Sequence, residues 1–218
     1  NDEVPREVFE QAMEPRHVAI SLDGEPSLYP YLPELIEEFH DRDITTFLVS
    51  NGTNPEMLAR CDPTQLYVSV DAHNRAMFDD VVKAVEDDAW ESLIDTMDVL
   101  AAKDETRTVL RTTLVEGENM RDPDWYAAFY DRADPDFVEL KAYMHVGHSR
   151  GRLDRSSMPD HEDVLAFTEE IQEHMPDHDA IKDVPQSRVA LLARDADTWV
   201  PKLNKDSEFW ADDPLAGD

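Results

Sequence analysis

The sequence predicts an α/β fold, a barrel or part-barrel of parallel strands with one site gathered at their carboxyl ends. Three observations predict it. Six apolar runs alternate for the most part with helical segments, the pattern of βαβ units. The runs are nearly continuous in apolar content, as in strands covered on both faces. Five of them end in polar or glycine-bearing loops, and in parallel α/β folds such loops collect on one rim.

The runs occupy residues 17–22, 45–50, 65–70, 108–115, 137–142 and 188–193. Between the first two, Leu32, Leu35, Ile36 and Phe39 fall on one face of a helix. Residues 79–100 hold periodic apolar positions for one or two helices, broken near Asp87 and Asp88. A further helix over 122–132 opens on Asp122 and Pro123 and carries Trp125, Tyr126, Ala128 and Phe129. Val164, Leu165, Phe167, Thr168 and Ile171 mark another, preceded by Pro159 and Asp160. Residues 1–194 read as the barrel, and 195–218 as an irregular acidic tail with Trp199, Phe209 and Trp210 as its aromatic anchors.

Acids outnumber bases 50 to 20, a net charge of −30. Asp outnumbers Glu, 30 to 20, and the acids run through the whole chain rather than forming a tail. Such self-repulsion destabilises a compact state unless salt screens it, so the composition fits a salt-rich, halophilic cytoplasm. No run of about 18 apolar residues marks a membrane span, and no apolar segment marks a signal peptide. The one cysteine, Cys61, allows no intrachain disulfide and no cysteine-ligated cluster or zinc knuckle from this chain alone. It reads as a small residue at the end of a helix.

Gly24, Glu25 and Pro26 follow the first run directly. Glycine lets backbone approach a ligand, and a carboxylate there accepts hydrogen bonds from an ammonium group, although the same residues suit a turn. Ser50 and Asn51, with Ser69 and Asp71, offer hydroxyls, an amide and a carboxylate that suit a ribose. They also suit turns and helix caps. Arg111 lies inside an apolar run, where a charge costs several kcal/mol unless paired. Its partner is a bound anion in the barrel, or an acid on the next strand such as Glu139. Lys141 poses the same alternatives: a Schiff-base nucleophile, a substrate contact, or a pair with Glu25 or Glu139. His145, His148, Arg150, Arg152 and Arg155 form the only dense cationic patch. Arginine suits phosphate, so the patch reads either as a nucleic-acid contact or as surface ion pairs. No third ligand is spaced to make His145 and His148 a metal site, and none is predicted in this chain.

Taken together, these residues resemble one family, the archaeal tRNA 4-demethylwyosine synthases, which are radical S-adenosylmethionine enzymes. The matching segments are His17-Val-Ala-Ile-Ser-Leu-Asp-Gly-Glu-Pro-Ser-Leu-Tyr-Pro30, Thr46-Phe-Leu-Val-Ser-Asn-Gly52, Leu66-Tyr-Val-Ser-Val-Asp-Ala72 and Leu110-Arg-Thr-Thr-Leu114 with Asn119-Met120. The most specific is Asp134-Pro-Asp-Phe-Val-Glu-Leu-Lys-Ala-Tyr-Met-His-Val-Gly147, followed by Ser149-Arg-Gly-Arg152 and Ser187-Arg-Val-Ala-Leu-Leu192.

The resemblance implies a partial (β/α) barrel of the radical S-adenosylmethionine type. It implies that Gly24, Glu25 and Pro26 hold the methionyl ammonium, that Ser50, Asn51, Ser69 and Asp71 contact the ribose and methionyl groups, and that Arg111 meets a carboxylate. Tyr143 and His145 would border the adenine and the target base. Glu139 and Lys141 would face substrate, with His148, Arg150, Arg152 and Arg155 toward tRNA. The family condenses pyruvate with N1-methylguanosine of tRNA-Phe. A 5′-deoxyadenosyl radical abstracts a methyl hydrogen, the carbon radical adds to pyruvate, and an imidazole ring closes. A 4Fe–4S cluster, an electron donor such as a flavodoxin or ferredoxin, a cytoplasmic location and a monomeric state are implied with it.

One departure is large. The family carries Cys-x-x-x-Cys-x-x-Cys after its first strand and further cysteines upstream, and none occurs here; the lysine proposed to bind pyruvate in the family also lies upstream and has no counterpart here. The first run, 17–22, corresponds to the family's second strand, so the chain resembles the C-terminal two-thirds of such an enzyme and is expected to be inactive alone. Two other readings stay open: a cluster-free module binding tRNA or a nucleotide, and an aldolase-type barrel that uses Lys141.

Overall fold

A computed structural model describes residues 5–194. Seven strands form one sheet in the order β1-β2-β3-β4-β5-β7-β6. The strands β1 (His17–Ile20), β2 (Thr45–Ser50), β3 (Gln65–Ser69), β4 (Arg107–Leu114) and β5 (Phe137–Ala142) are parallel and adjacent in chain order. Chain order equal to spatial order is the winding of a barrel, in which every crossover turns the same way. All five carboxyl ends therefore share one rim.

The helices are α1 (Arg6–Ala12), α2 (Leu32–His40), α3 (Pro55–Arg60), α4 (Arg75–Val81), α5 (Ala89–Ala101), α6 (Pro123–Ala133) and α7 (His161–Gln172). Local chemistry sets their starts. Asn54 and Asn74 accept hydrogen bonds from the N–H groups of Met57 and Met77 at the first turns of α3 and α4. Asp160 and Asp163 form a reciprocal capping box on α7.

Helices from α2 to α7 pack on one face of the sheet. Leu48, Leu66, Val68, Leu110, Val138 and Leu140 point into that layer and join Leu32, Leu58, Met97, Tyr130 and Ile171 in one core. Each such side chain contributes roughly 1.5–3 kcal/mol on burial. Trp90 stacks on Phe129 at 5.6 Å and tilts against Phe78 at 5.5 Å, fastening α4, α5 and α6 together.

Several expectations are corrected. The strands are not covered on both faces among the described residues: Thr46, Leu48 and Ser50 are buried while Thr45, Phe47 and Val49 are half-buried, and β3 alternates in the same way. The alternate residues line the concave side of a half-barrel. The last run, β7 (Val189–Ala193), runs antiparallel to β5, and a further strand, β6 (Asp179–Val184), pairs antiparallel with β7. The sequence reading missed β6 because it is a mostly exposed edge strand with charges at Asp179, Lys182 and Asp183, a pattern that resembles a loop. It also missed α1 and α3, of seven and six residues, which are too short to show a periodicity. The break at Asp87 and Asp88 holds, since α5 starts at Ala89. Of the residues carried by the expected helix over 122–132, Tyr126 and Phe129 are buried, while Ala128 is exposed and Trp125 is 60% exposed. Trp199, Phe209 and Trp210 lie outside the described residues.

Candidate active site

Glu25 fastens the first two rim loops together. Its Oε1 accepts from the Ser50 hydroxyl at 2.7 Å and the Ser27 N–H at 3.1 Å, and its Oε2 accepts from the Asn51 N–H at 2.8 Å. The residues expected to form one cofactor cradle, Gly24, Glu25, Pro26, Ser50 and Asn51, are thus brought together, with the Glu25 side chain committed to the cradle itself. Gly24 and Gly52 have φ of +74° and +75°. At Gly52 a Cβ would come within 2.7 Å of Leu93 and 2.9 Å of Val68, so only glycine permits the turn that places Asn51 there.

Asp71, just past β3, joins the third and fourth loops. Its Oδ1 accepts from the Thr113 N–H at 2.7 Å, continuing the β3–β4 ladder with a side chain. Its carbonyl receives the Asn119 amide at 3.0 Å. Desolvation pushes the Asp71 carboxyl up to about 6, against the lowering effect of Thr113 and Arg111. Fully buried Asn119 also donates to the Thr113 carbonyl and accepts from the Val115 N–H, so one side chain fixes the whole turn after β4. Nothing in the sequence marks Asn119 for this task, because a buried asparagine and a turn asparagine look alike there.

Arg111 and Glu139 are register partners on β4 and β5, both half-buried on the concave side. The Arg111 Nε donates to Glu139 at 2.6 Å, and the guanidinium lies 4.5 Å from the centre of the Tyr67 ring. The ion pair with Glu139, one of the two alternatives for Arg111, is therefore present. Burial and the Glu139 charge raise the Tyr67 phenol above its ordinary value. Ser69 stands one strand over, opposite Arg111 in the register, with its hydroxyl lacking a partner among the described residues. Lys141 faces the same side between Thr113 and Val189. It pairs with neither Glu25 nor Glu139, and has no ion-pair partner among the described residues.

Past β5 the chain turns along the rim. Tyr143 is buried, and its hydroxyl lies 3.2 Å from the His145 Nδ1. Arg150 donates to the His145 carbonyl at 3.2 Å and Arg152 to the Val81 carbonyl at 3.3 Å. Arg150, Arg152 and Arg155 have no carboxylate partner among the described residues, so the alternative of surface ion pairs is not what this patch does within them. Met144, His145, Val146, Arg150, Arg155 and Met158 line a cavity of about 500 Å³. His148 is exposed beside it.

The donor set suits S-adenosylmethionine. The Asn51 carbonyl oxygen is used by Thr53, which leaves its amide outward, while the free Ser69 hydroxyl and the Asp71 carboxylate supply partners for a ribose. It does not suit an iron–sulfur cluster. The single cysteine lies buried at the end of α3, as read from the sequence, and burial pushes its thiol up to about 11, so it stays protonated and inert. No group of three metal-ligating side chains exists among the described residues, and no helix among them is long and apolar enough to cross a membrane.

Residues 1–129 match the radical SAM superfamily, and residues 132–194 match the family described as wyosine base formation. The S-adenosyl-L-methionine-dependent tRNA 4-demethylwyosine synthase of Pyrococcus abyssi is 46% identical over 200 residues, covering 89% of this chain and 58% of that protein. Its namesake in Methanocaldococcus jannaschii is 43% identical over 202 residues, covering 93% and 63%. A solved structure described as TYW1 with a lysine-pyruvate adduct bound superposes with a TM-score of 0.81 at 42% identity, covering 88% of this chain and 61% of that one. The chain thus spans about three-fifths of the length of these relatives, and the resemblance read from its motifs holds along nearly all of it. The rim loops, the half-barrel winding and these matches together lead to one conclusion: the chain belongs to the radical SAM superfamily, in the branch whose last strands are the wyosine base formation segment.

Proposed function

We propose that this chain is the substrate-facing part of a tRNA-modifying enzyme that makes 4-demethylwyosine from N1-methylguanosine of tRNA-Phe and pyruvate. One observation carries the reading. The cradle held by Glu25 and the unpaired cationic loop from His145 to Arg155 open on the same rim, so a small cofactor and a polyanion would meet over the concave face.

S-adenosylmethionine, when bound, would supply the 5′-deoxyadenosyl group that takes a hydrogen atom from the methyl of the target base. Gly24, Glu25, Pro26, Ser50, Asn51, Ser69 and Asp71 would hold it. Glu25 keeps two loops in register and so sets the shape of that cradle. Arg111, neutralised by Glu139 and stacked on Tyr67, offers its remaining N–H groups to a carboxylate. Lys141, without an ion-pair partner among the described residues, is a substrate contact on the same face. Tyr143 and His145 border the target base, and His148, Arg150, Arg152 and Arg155 neutralise tRNA phosphates. The cluster's ligands are not among these residues.

The binding half is testable with the chain itself. A gel shift with a tRNA-Phe transcript in high potassium chloride is expected to show a complex, and Arg150→Ala with Arg152→Ala to weaken it by roughly 1–3 kcal/mol. A transcript that binds the double variant as well as the parent would rule the reading out. The partnerless Lys141 favours one second reading, an aldolase-type barrel in which its Nζ attacks the pyruvate carbonyl and water leaves as the imine forms. Borohydride trapping with pyruvate that disappears in Lys141→Ala would support that reading.

A further inference from the structure

In a chain with 50 acids and 20 bases, nearly any cation can find a carboxylate, so a cation left without one is informative. Arg75, Lys103, Arg132, Arg188 and Arg194 are all paired. Arg16, Arg60 and Arg107 have no ion pair among the described residues, but they are scattered, at or near the amino ends of the strands. Lys83 also has none, and it sits elsewhere. It follows α4 with a positive φ of 54° and is fully on the surface.

Lys83 and Arg152 line one cavity of about 360 Å³, with Val81, Val115 and Leu153, and with Asp80 and Glu118 also on its wall. The hydrogen bond from Arg152 to the Val81 carbonyl holds the guanidinium two residues from Lys83. The Glu116 N–H donates to the Ser157 carbonyl at 2.9 Å, joining the loop after β4 to the cationic loop. Arg150 and Arg155 line one cavity of this loop, and Arg152 and Lys83 line a second.

The other end of α4 carries an aromatic. His73, just before that helix, is buried, and its Nε2 has no hydrogen-bond partner among the described residues; burial lowers its pKa. Its ring packs on Tyr126 at 4.8 Å and lies 35° from the plane of Trp125 at 6.2 Å. Trp125, in the first turn of α6, is 60% exposed beside Arg121, whose one ion pair is a loose 3.9 Å contact with Asp122. Seven helical residues separate the two ends of α4, about 10 Å.

We propose that the RNA surface extends beyond the 147–155 loop across α4, with Lys83 joining Arg152 on a backbone phosphate and Trp125 stacking an unpaired base. An exposed indole at one end of α4, with cations that have no ion pair among the described residues at the other, fits loop RNA, whose splayed bases stack on aromatic faces while phosphates take the charges. The nearby acids Asp80, Glu118 and Asp122 limit the contact to a few phosphates. This inference rests on the tRNA reading above.

Fluorescence anisotropy with a labelled tRNA-Phe anticodon stem-loop, over a series of potassium chloride concentrations, tests it. Lys83→Ala is expected to weaken binding about three- to tenfold and to reduce the slope of log affinity against log salt by about 0.7. Trp125→Ala is expected to weaken binding at least about fivefold with an unchanged salt slope, and Trp125→Phe to retain most of the affinity. Arg60→Ala, at the far end of the barrel, should bind as the parent does. If Lys83→Ala and Trp125→Ala match the parent while the Arg150, Arg152 double variant does not, this inference fails and the tRNA reading stands. A parent that binds no stem-loop overturns both.

Discussion

Glu139 sits directly beside Arg111 in the β4–β5 register and holds its guanidinium at 2.6 Å on the concave face of the sheet. The pair lets Arg111 occupy the middle of a strand beside buried Val109 and Leu110. It also leaves Arg111 oriented over Tyr67, with N–H groups free for a ligand carboxylate.

Breaking that pair should be felt in stability as well as binding. Glu139→Gln leaves Arg111 without its counter-charge on a partly solvated face. The expected cost is about 1–3 kcal/mol, below the figure for a fully buried pair. Urea denaturation reads it, and a double-mutant cycle with Arg111→Met should recover most of the loss. A cycle with zero coupling would show the pair to be inert.

Glu25→Ala removes the acceptor shared by Ser50, Asn51 and Ser27. S-adenosylmethionine affinity, measured by equilibrium dialysis, should fall at least about tenfold, because an unfixed loop must be ordered on binding. The melting temperature should fall only slightly, since the contact lies at the rim.

Gly52→Ala meets a harder limit. The added Cβ collides with Leu93 and Val68, and the positive φ is itself unfavourable for alanine. A loss of about 1–3 kcal/mol is expected, with weaker cofactor binding, because Asn51 moves with the turn. Unfolding curves that overlay those of the parent would contradict this placement of the loop.

Asp71 should make stability depend on pH in an unusual direction. Its folded-state pKa, about 6, lies above the ordinary 3.8, so the folded protein holds this proton more tightly than the unfolded chain. Its contribution is then fully present below about pH 4 and is lost as pH rises through about 6. The change is at most about 3 kcal/mol. Asp71→Asn keeps an oxygen for the Thr113 N–H but removes the titration. The stability difference between parent and variant should therefore shift toward the variant as pH rises from about 4 to 7. A difference that stays flat over that range would remove Asp71 as its source.

Much of this site was legible before any fold was known. The Gly24–Pro26 turn, Asn51 and Asp71 each follow an apolar run and Ser50 ends one, and run-then-loop is a local pattern that sequence carries directly. Arg111 inside such a run demanded a partner, and Glu139 was one of the two alternatives. Lys141 was less tractable: its expected acids, Glu25 and Glu139, are taken by Ser50, Asn51 and Arg111 instead. Competition for one carboxylate depends on distances that no spacing reveals.

By itself the sequence determined the alternation of strands and helices, the rim loops and the family, because these depend on periodicity and motif, which are properties of neighbours along the chain. Only the tertiary structure decided the rest. It set β7 antiparallel against β5 and placed β6 at the edge, since strand direction depends on where the chain re-enters the sheet. It bared Trp125 in the first turn of α6, an exposure that the sequence leaves open. It also brought Lys83 beside Arg152 across nearly seventy residues of sequence, about as many as a small domain contains, so that a lysine unremarkable in the chain shares one cavity with an arginine of the cationic patch. Contacts of that kind follow from packing, and packing is settled only when the whole sheet and its helices are in place.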